Sequence, residues 1–179
     1  MLQNKVPANY RWLLNIGPLP RMVTEGLKLL GTIEAPGPAN NPTILAWAAE
    51  TGLGRVYTAD SIPWCGLFMA VVAKRAGKTV VSSPLWALSW SKFGEAGGQP
   101  RLGDVLTFKR EGGGHVGIYI GEDSACYHVL GGNQSDAVTI TRIRKERLHA
   151  VRREYRIAMP ASARPYVLAP VGAISSNEA

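Results

Sequence analysis

Two side chains in this sequence could form and break covalent bonds together. Cys65 opens the apolar run CGLFMAVVAKRAG, and His115 follows three glycines in GGGHVGIYIGE. A cysteine in the first turn of a helix meets main-chain N–H groups that have no intrahelical partner, and it also feels the positive end of the helix dipole. Both favour a thiolate, and the same N–H groups can stabilise an oxyanion. A lone cysteine in an apolar helix is more often plain core. A histidine elsewhere in the chain changes that weighting, because a thiol nucleophile needs a base. His115 should begin a strand at a sheet edge, accessible from a flexible loop, with Gly117 leaving room beside it. A third polar group should orient the imidazole. Downstream, His128 and Asn133 are the candidates, the latter in VLGGNQSD. Cys126 lies inside an expected strand and is assigned a structural role. The chain has no CxxC and no HExxH, so no metal site and no cofactor are expected.

The elements that must position this pair are legible from punctuation. Helical spacing covers 20–30 and stops at Gly31. Asn41 followed by Pro42 marks a capped helix start, with an end near Gly52. Ser61 can cap a third helix with Pro63 in its first turn, and this helix, apolar on nearly every side, should be buried at the centre. A fourth helix is expected over 84–93, with Trp86 and Trp90 on one face. Beyond Gly97 the pattern turns to strands at 104–109, 115–120, 125–130, 137–142 and 151–156. Helices followed by antiparallel strands indicate an α+β fold. Residues 1–20 read as an N-terminal arm, 21–158 as one domain, and 159–179 as a flexible tail.

Composition narrows the function classes. The 179 residues carry a net charge of +7, with 46% hydrophobic residues. Much of the excess is in Arg142, Arg144, Lys145, Arg147, Arg152, Arg153 and Arg156, which could serve an anionic surface. No aromatic residues alternate with these, so no specific nucleic acid is expected. The N-terminal stretch lacks the pattern of a secretory signal and no apolar run is long enough to span a membrane. The expectation is synthesis in the cytoplasm, with any work outside requiring separate export.

PWCGLFMAVVAKRAG, RLGDVLTFKR, GGGHVGIYIGE and VLGGNQSDAV, in that order, resemble the papain-like peptidoglycan hydrolases of the NlpC and CHAP type, most closely a phage and prophage branch. The resemblance covers roughly residues 20–157. It implies a papain-like core in which the cysteine helix packs on an antiparallel sheet. It also implies a thiol hydrolase that cuts an amide bond of peptidoglycan as an endopeptidase or amidase. Cys65 takes the place of the nucleophile and His115 that of the base. The third member falls on Asn133 by the CHAP arrangement, which is preferred, or on His128 by the NlpC arrangement. Trp64 departs from the acidic residue that often precedes the cysteine. Tyr57, Asp60 and Trp64 are candidates for a substrate groove, with Trp86 and Trp90 either beside them or in the core. Such an enzyme would reach the cell wall as a lysin after holin-type release, or as an antibacterial effector countered by an immunity protein. The alternative is a catalytically inert wall-binding or virion-associated module of the same fold. A nucleic-acid-binding protein is a third reading, resting on charge alone.

Overall fold

The computed structural model describes residues 2–155, 158–176 and 178. Three α-helices come first: α1 (Arg21–Lys28), α2 (Pro42–Glu50) and α3 (Cys65–Arg75). Asn41 caps α2 as its sequence indicates, its side-chain oxygen accepting from Thr43 N–H at 2.8 Å. The expected cap of α3 is corrected. Ile62, Pro63 and Trp64 intervene after Ser61, the N-cap position is Trp64, and no side chain takes the first N–H groups. From Cys65 to Ala73 every residue of α3 is buried.

The helix expected over 84–93 is also corrected. Only a 3₁₀ turn forms, at Ala87–Lys92. Trp86 is extended and precedes it, so the two indoles do not share a face. Trp90 is fully buried, with its N–H on Pro84 O at 2.9 Å, whereas Trp86 is 63% exposed.

Six antiparallel strands follow: β1 (Glu95–Ala96), β2 (Val105–Arg110), β3 (Gly113–Glu122), β4 (Cys126–Gly131), β5 (Thr139–Arg144) and β6 (Leu148–Arg153), in the spatial order β1-β6-β2-β3-β4-β5. The α+β class is therefore as the sequence indicates, and β1 is the strand it does not announce. Arg156, the expected end of the last strand, lies outside the described residues. Alternation along the strands sorts the side chains onto two faces. Val105, Val116, Ile118, Ile120 and Leu130 join the helices in the main core. Leu106, Phe108, Tyr119, Tyr127, Val129 and Ile143 form a second cluster. No helix among the described residues is long and apolar enough to cross a membrane.

Both chain ends pack onto this body. Residues 2–20 form two 3₁₀ segments, Leu2–Asn4 and Ala8–Asn15, and Val6, Tyr10 and Leu13 enter the core. In the last stretch Ala163 is buried, Val167 bridges to Glu122 and Ile174 to Arg142. One buried polar chain ties the ends to the sheet. Tyr10 O–H meets His128 Nδ1 at 2.8 Å, His128 Nε2 meets Asp123 Oδ2 at 3.0 Å, and Arg142 reaches both Asp123 Oδ2, at 2.8 Å, and Gly172 O. Burial pushes the Asp123 carboxyl up, but Arg142, the N–H groups of Ala125 and Cys126, and His128 outweigh it and hold it well below the ordinary carboxylate range. Asp123→Ala leaves a buried guanidinium without its carboxylate. It is expected to cost about 3–5 kcal/mol in urea unfolding, and a loss under 1 kcal/mol would mean water replaces the carboxylate.

The basic run is largely consumed by such contacts. Arg142 pairs with Asp123, Lys145 with Glu122, Arg147 with Glu178 and Arg153 with Asp104, while Arg152 donates to Phe93 O and Gly94 O. The Gly–Asp pair before β2 is part of the same bracing, since Asp104 Oδ2 accepts from Arg101 N–H and from Arg153.

Candidate active site

Three local features converge: the first turn of α3, the first residues of β3, and the turn that follows β4. Two glycines permit the approach. A Cβ on Gly66 would lie 2.3 Å from Pro84 O and 2.7 Å from Leu85 O, so the chain at 84–85 crosses directly over the helix start. A Cβ on Gly132 would lie 2.5 Å from Phe68 Cβ and 2.8 Å from the Trp64 ring, so the turn after β4 presses on the same helix. β4 stops pairing at Gly131. Cys65 sits against the early part of β3, where the Val116 main chain, one residue past His115, hydrogen-bonds to its thiol.

Cys65 is 6% exposed. Burial pushes its thiol pKa up, against the pull of the Val116 and Gly66 main chain and the Arg110 charge. The expectation of a resting thiolate is thereby corrected: desolvation outweighs the free N–H groups of the helix start. His115 is corrected too. It is 1% exposed and lies on a central strand between β2 and β4, not at an edge. Gly117 offers no empty space, because a Cβ there would meet Val129 Cγ1 at 2.5 Å and Leu130 O at 2.9 Å. The glycine admits the neighbouring strand.

The orienting group is Gln134. Its Oε1 lies 3.1 Å from His115 Nε2. Its Nε2 donates to Thr139 O at 2.7 Å and to Val129 O at 3.2 Å. Two carbonyls on the amide nitrogen dictate which way the amide faces, so the oxygen is the atom presented to the ring. His115 Nε2 must then carry the proton, and Nδ1 is left with the lone pair of a base. Gly131 leaves the room for this bond, since a Cβ there would sit 2.8 Å from Gln134 Oε1 and 3.2 Å from His115 Nε2. Phe108 stacks on the imidazole with a centroid separation of 6.5 Å.

Neither sequence candidate for this role partners His115. Asn133 holds a left-handed backbone, φ 55°, as do Ser135 and Asp136. It turns the chain so that its successor points back at the strand. Glycines 131 and 132 are absent from the left-handed residues; they make space instead. His128 lies opposite Gly121, farther along β3, with both ring nitrogens engaged by Tyr10 and Asp123. The one legible hint toward Gln134 is that asparagine tolerates positive φ better than most residues, which makes Asn133 a backbone residue and its neighbour the reaching one.

The expected groove residues are replaced as well. Tyr57, Asp60 and Trp64 are all buried. Tyr57 O–H donates to Ile62 O, Asp60 Oδ2 accepts from Ala35 and Asn41 N–H, and Trp64 Nε1 donates to Glu34. They brace the loop that leads into α3. Cys65 opens instead into a cleft of about 530 Å³ walled by Leu53, Val56, Ile62, Leu85, Trp86 and Leu88, with Arg110 and Gly112–Gly114 at one end. Among the described residues no group of three or more His, Cys, Asp or Glu side chains could hold a metal ion.

Burial lowers the His115 pKa from 6.5 to about 4, against a counter-pull from Glu178 and Gln134, while Arg147 and Arg110 push it down further. The resting pair is therefore a neutral thiol and a neutral imidazole. An unfolded histidine takes its proton near pH 6.5 and the folded one near 4, so between these values the unfolded state binds more protons. Stability conferred by keeping His115 neutral is present above about pH 6.5 and is lost as pH falls towards 4, by roughly 3 kcal/mol in all. Nitrogen NMR of the imidazole should show the Nε2–H tautomer throughout pH 5–8. A ring that protonates near pH 6.5 would refute the buried, neutral base.

The chain matches no family model, and no curated protein matches it.

Proposed function

We propose that this chain is a thiol hydrolase with a papain-like core that cleaves an amide bond in peptidoglycan. The observation that carries the reading is that the Cys65 thiol, at the start of α3, is hydrogen-bonded by the main chain of Val116, the residue next to a buried His115 whose tautomer is dictated by Gln134. A substrate carbonyl enters the cleft beside Cys65. As Sγ attacks the carbonyl carbon, its proton passes to His115 Nδ1. The thiol and base need not be ionised beforehand, because proton transfer and attack proceed together. The main-chain N–H of Cys65, at the positive end of α3, is a donor for the developing oxyanion. The imidazolium then protonates the leaving amine. Water, deprotonated by the same nitrogen, hydrolyses the thioester and restores the thiol. Gln134 holds the ring through both half-reactions and carries the role that the resemblance assigns to Asn133.

Peptidoglycan as the substrate rests on the likeness of four motifs to wall hydrolases, and the apolar cleft beside the thiol suits a peptide stem. The same likeness favours a lysin or an exported antibacterial effector. Purified cell walls incubated with the protein should lose turbidity and release new amino groups, and mass spectrometry of the fragments identifies the bond. Binding to walls without release of amines would sink the enzymatic reading in favour of an inert wall-binding module.

A further inference from the structure

Five residues of this chain are tryptophan, and four of them lie against another aromatic ring: Trp12 on Tyr166, Trp47 with Trp64, and Trp90 with Phe93. Trp86 has no such partner among the described residues and is 63% exposed. A large apolar ring left in water is an informative departure. Its backbone is firmly held. The strap that carries it, 83–86, crosses the start of α3 so closely that a Cβ on Gly66 would lie 2.7 Å from Leu85 O. Trp86 N–H donates to Ser83 O at 3.1 Å, Trp86 O accepts from Ser89 N–H at 3.0 Å, and the buried Trp90 ring donates to Pro84 O at 2.9 Å. The indole is thereby fixed at the cleft of about 530 Å³ that Cys65 also borders. Val56 lines the same cleft and is 64% exposed. It sits in a turn where its own N–H and that of Tyr57 both donate to Leu53 O at 2.9 Å. The lining carries no carboxylate, and Arg110 is its one cation.

Resting on the hydrolase reading, we propose that Trp86 and Val56 determine specificity by packing on an aliphatic side chain of the peptide substrate, that of the residue supplying the attacked carbonyl. That residue stays tethered to Sγ through both half-reactions, so the cleft that borders the thiol is the space its side chain fills. The cleft is large enough to take a long side chain whole, since sites for entire small molecules run from about 300 to 1,000 Å³. Leu53, Ile62, Leu85 and Leu88 continue the apolar wall. Each methylene that leaves water for these walls is worth about fourfold in affinity. A carboxylate or ammonium group moved along the same walls gives up its hydration and gains no hydrogen bonds in return. The substrate side chain also covers the indole that the fold leaves bare.

The test uses synthetic stem-like peptides that differ at this one residue: alanine, aminobutyrate, norvaline, norleucine, glutamate and lysine. For the unmodified protein kcat/KM should rise about fourfold with each added methylene, and the glutamate and lysine peptides should fall below norleucine. Trp86→Ala should cut the gain to about twofold per methylene, and Trp86→Phe should keep most of it. An equal loss on every peptide would assign Trp86 a general structural role and overturn the proposal. Fluorescence of the Cys65→Ala protein decides the matter independently of turnover, with Cys65→Ala/Trp86→Phe as the background from the other indoles. The norleucine peptide should shield Trp86 from acrylamide quenching, and the glutamate peptide should not. Equal shielding by both peptides, or shielding by neither, overturns the apolar subsite. Graded shielding without any cleavage by the unmodified protein would instead sink the hydrolase reading and leave the apolar subsite standing.

Discussion

Cys65→Ala is expected to lower wall hydrolysis by about 10⁴-fold or more while the protein stays folded. Removing Sγ takes away the thiol that borders the cleft at the start of α3 and that the proposed mechanism uses as the nucleophile. The fold should tolerate the change, because one small buried atom is lost from a helix otherwise packed on all sides, at a cost of about 1 kcal/mol. The control is Cys126→Ala, which should keep its activity. Cys126 is 0% exposed inside β4 and does not border the cleft. Iodoacetamide should accordingly label Cys65 in the native protein, spare Cys126, and inactivate in step with labelling. Clearing of cell walls by the alanine variant at more than a few per cent of the normal rate would remove Cys65 from the chemistry. A folded but inactive Cys126→Ala protein would exchange the two roles.

Gln134→Ala should reduce turnover by about 10²-fold with little change in KM. Without the amide, His115 loses the acceptor that specifies its Nε2–H tautomer, and part of the population presents the wrong nitrogen to the thiol. Asn133→Gly makes the decisive comparison. The backbone of Asn133 is left-handed, φ 55°, which glycine adopts without strain. If the residue serves through its conformation, the glycine variant remains near normal. Loss of turnover in Asn133→Gly, with Gln134→Ala nearly unaffected, would return the orienting role to Asn133. His128→Ala should act on stability rather than turnover, since its ring is spent on Tyr10 and Asp123.

The two misplaced roles share a cause. The sequence shows that VLGGNQSD is a glycine-rich bend after a strand, and that a polar group there could return to His115. Which of two adjacent amides does so depends on the sign of φ at one residue, and a change of sign redirects the next side chain. Likewise, the mouth of the cleft cannot be read from residue types. Trp64 and Trp86 are equally plausible as groove linings in sequence, yet Trp64 is wholly buried and Trp86 is 63% exposed. Trp64 stacks under the turn at Gly132, while Trp86 stands in an extended segment before a 3₁₀ turn. A basic run that reads as an anion-seeking surface is in large part a set of braces, because its acidic partners come from distant parts of the chain.

The α+β class, the capped start of α2, the buried α3, the order of the long strands and the placement of a cysteine at a helix start and a histidine at a strand start were all legible in the order of residues along the chain. These follow from local periodicity and from residues whose backbone preferences act within a few positions. Tertiary structure alone decided that His115 is buried on a central strand, that Gln134 orients it, that the thiol rests protonated, and that Arg110 closes one end of an apolar cleft. Each of these depends on desolvation or on contacts between residues far apart in the chain, and neither quantity exists until the helices have packed on the sheet.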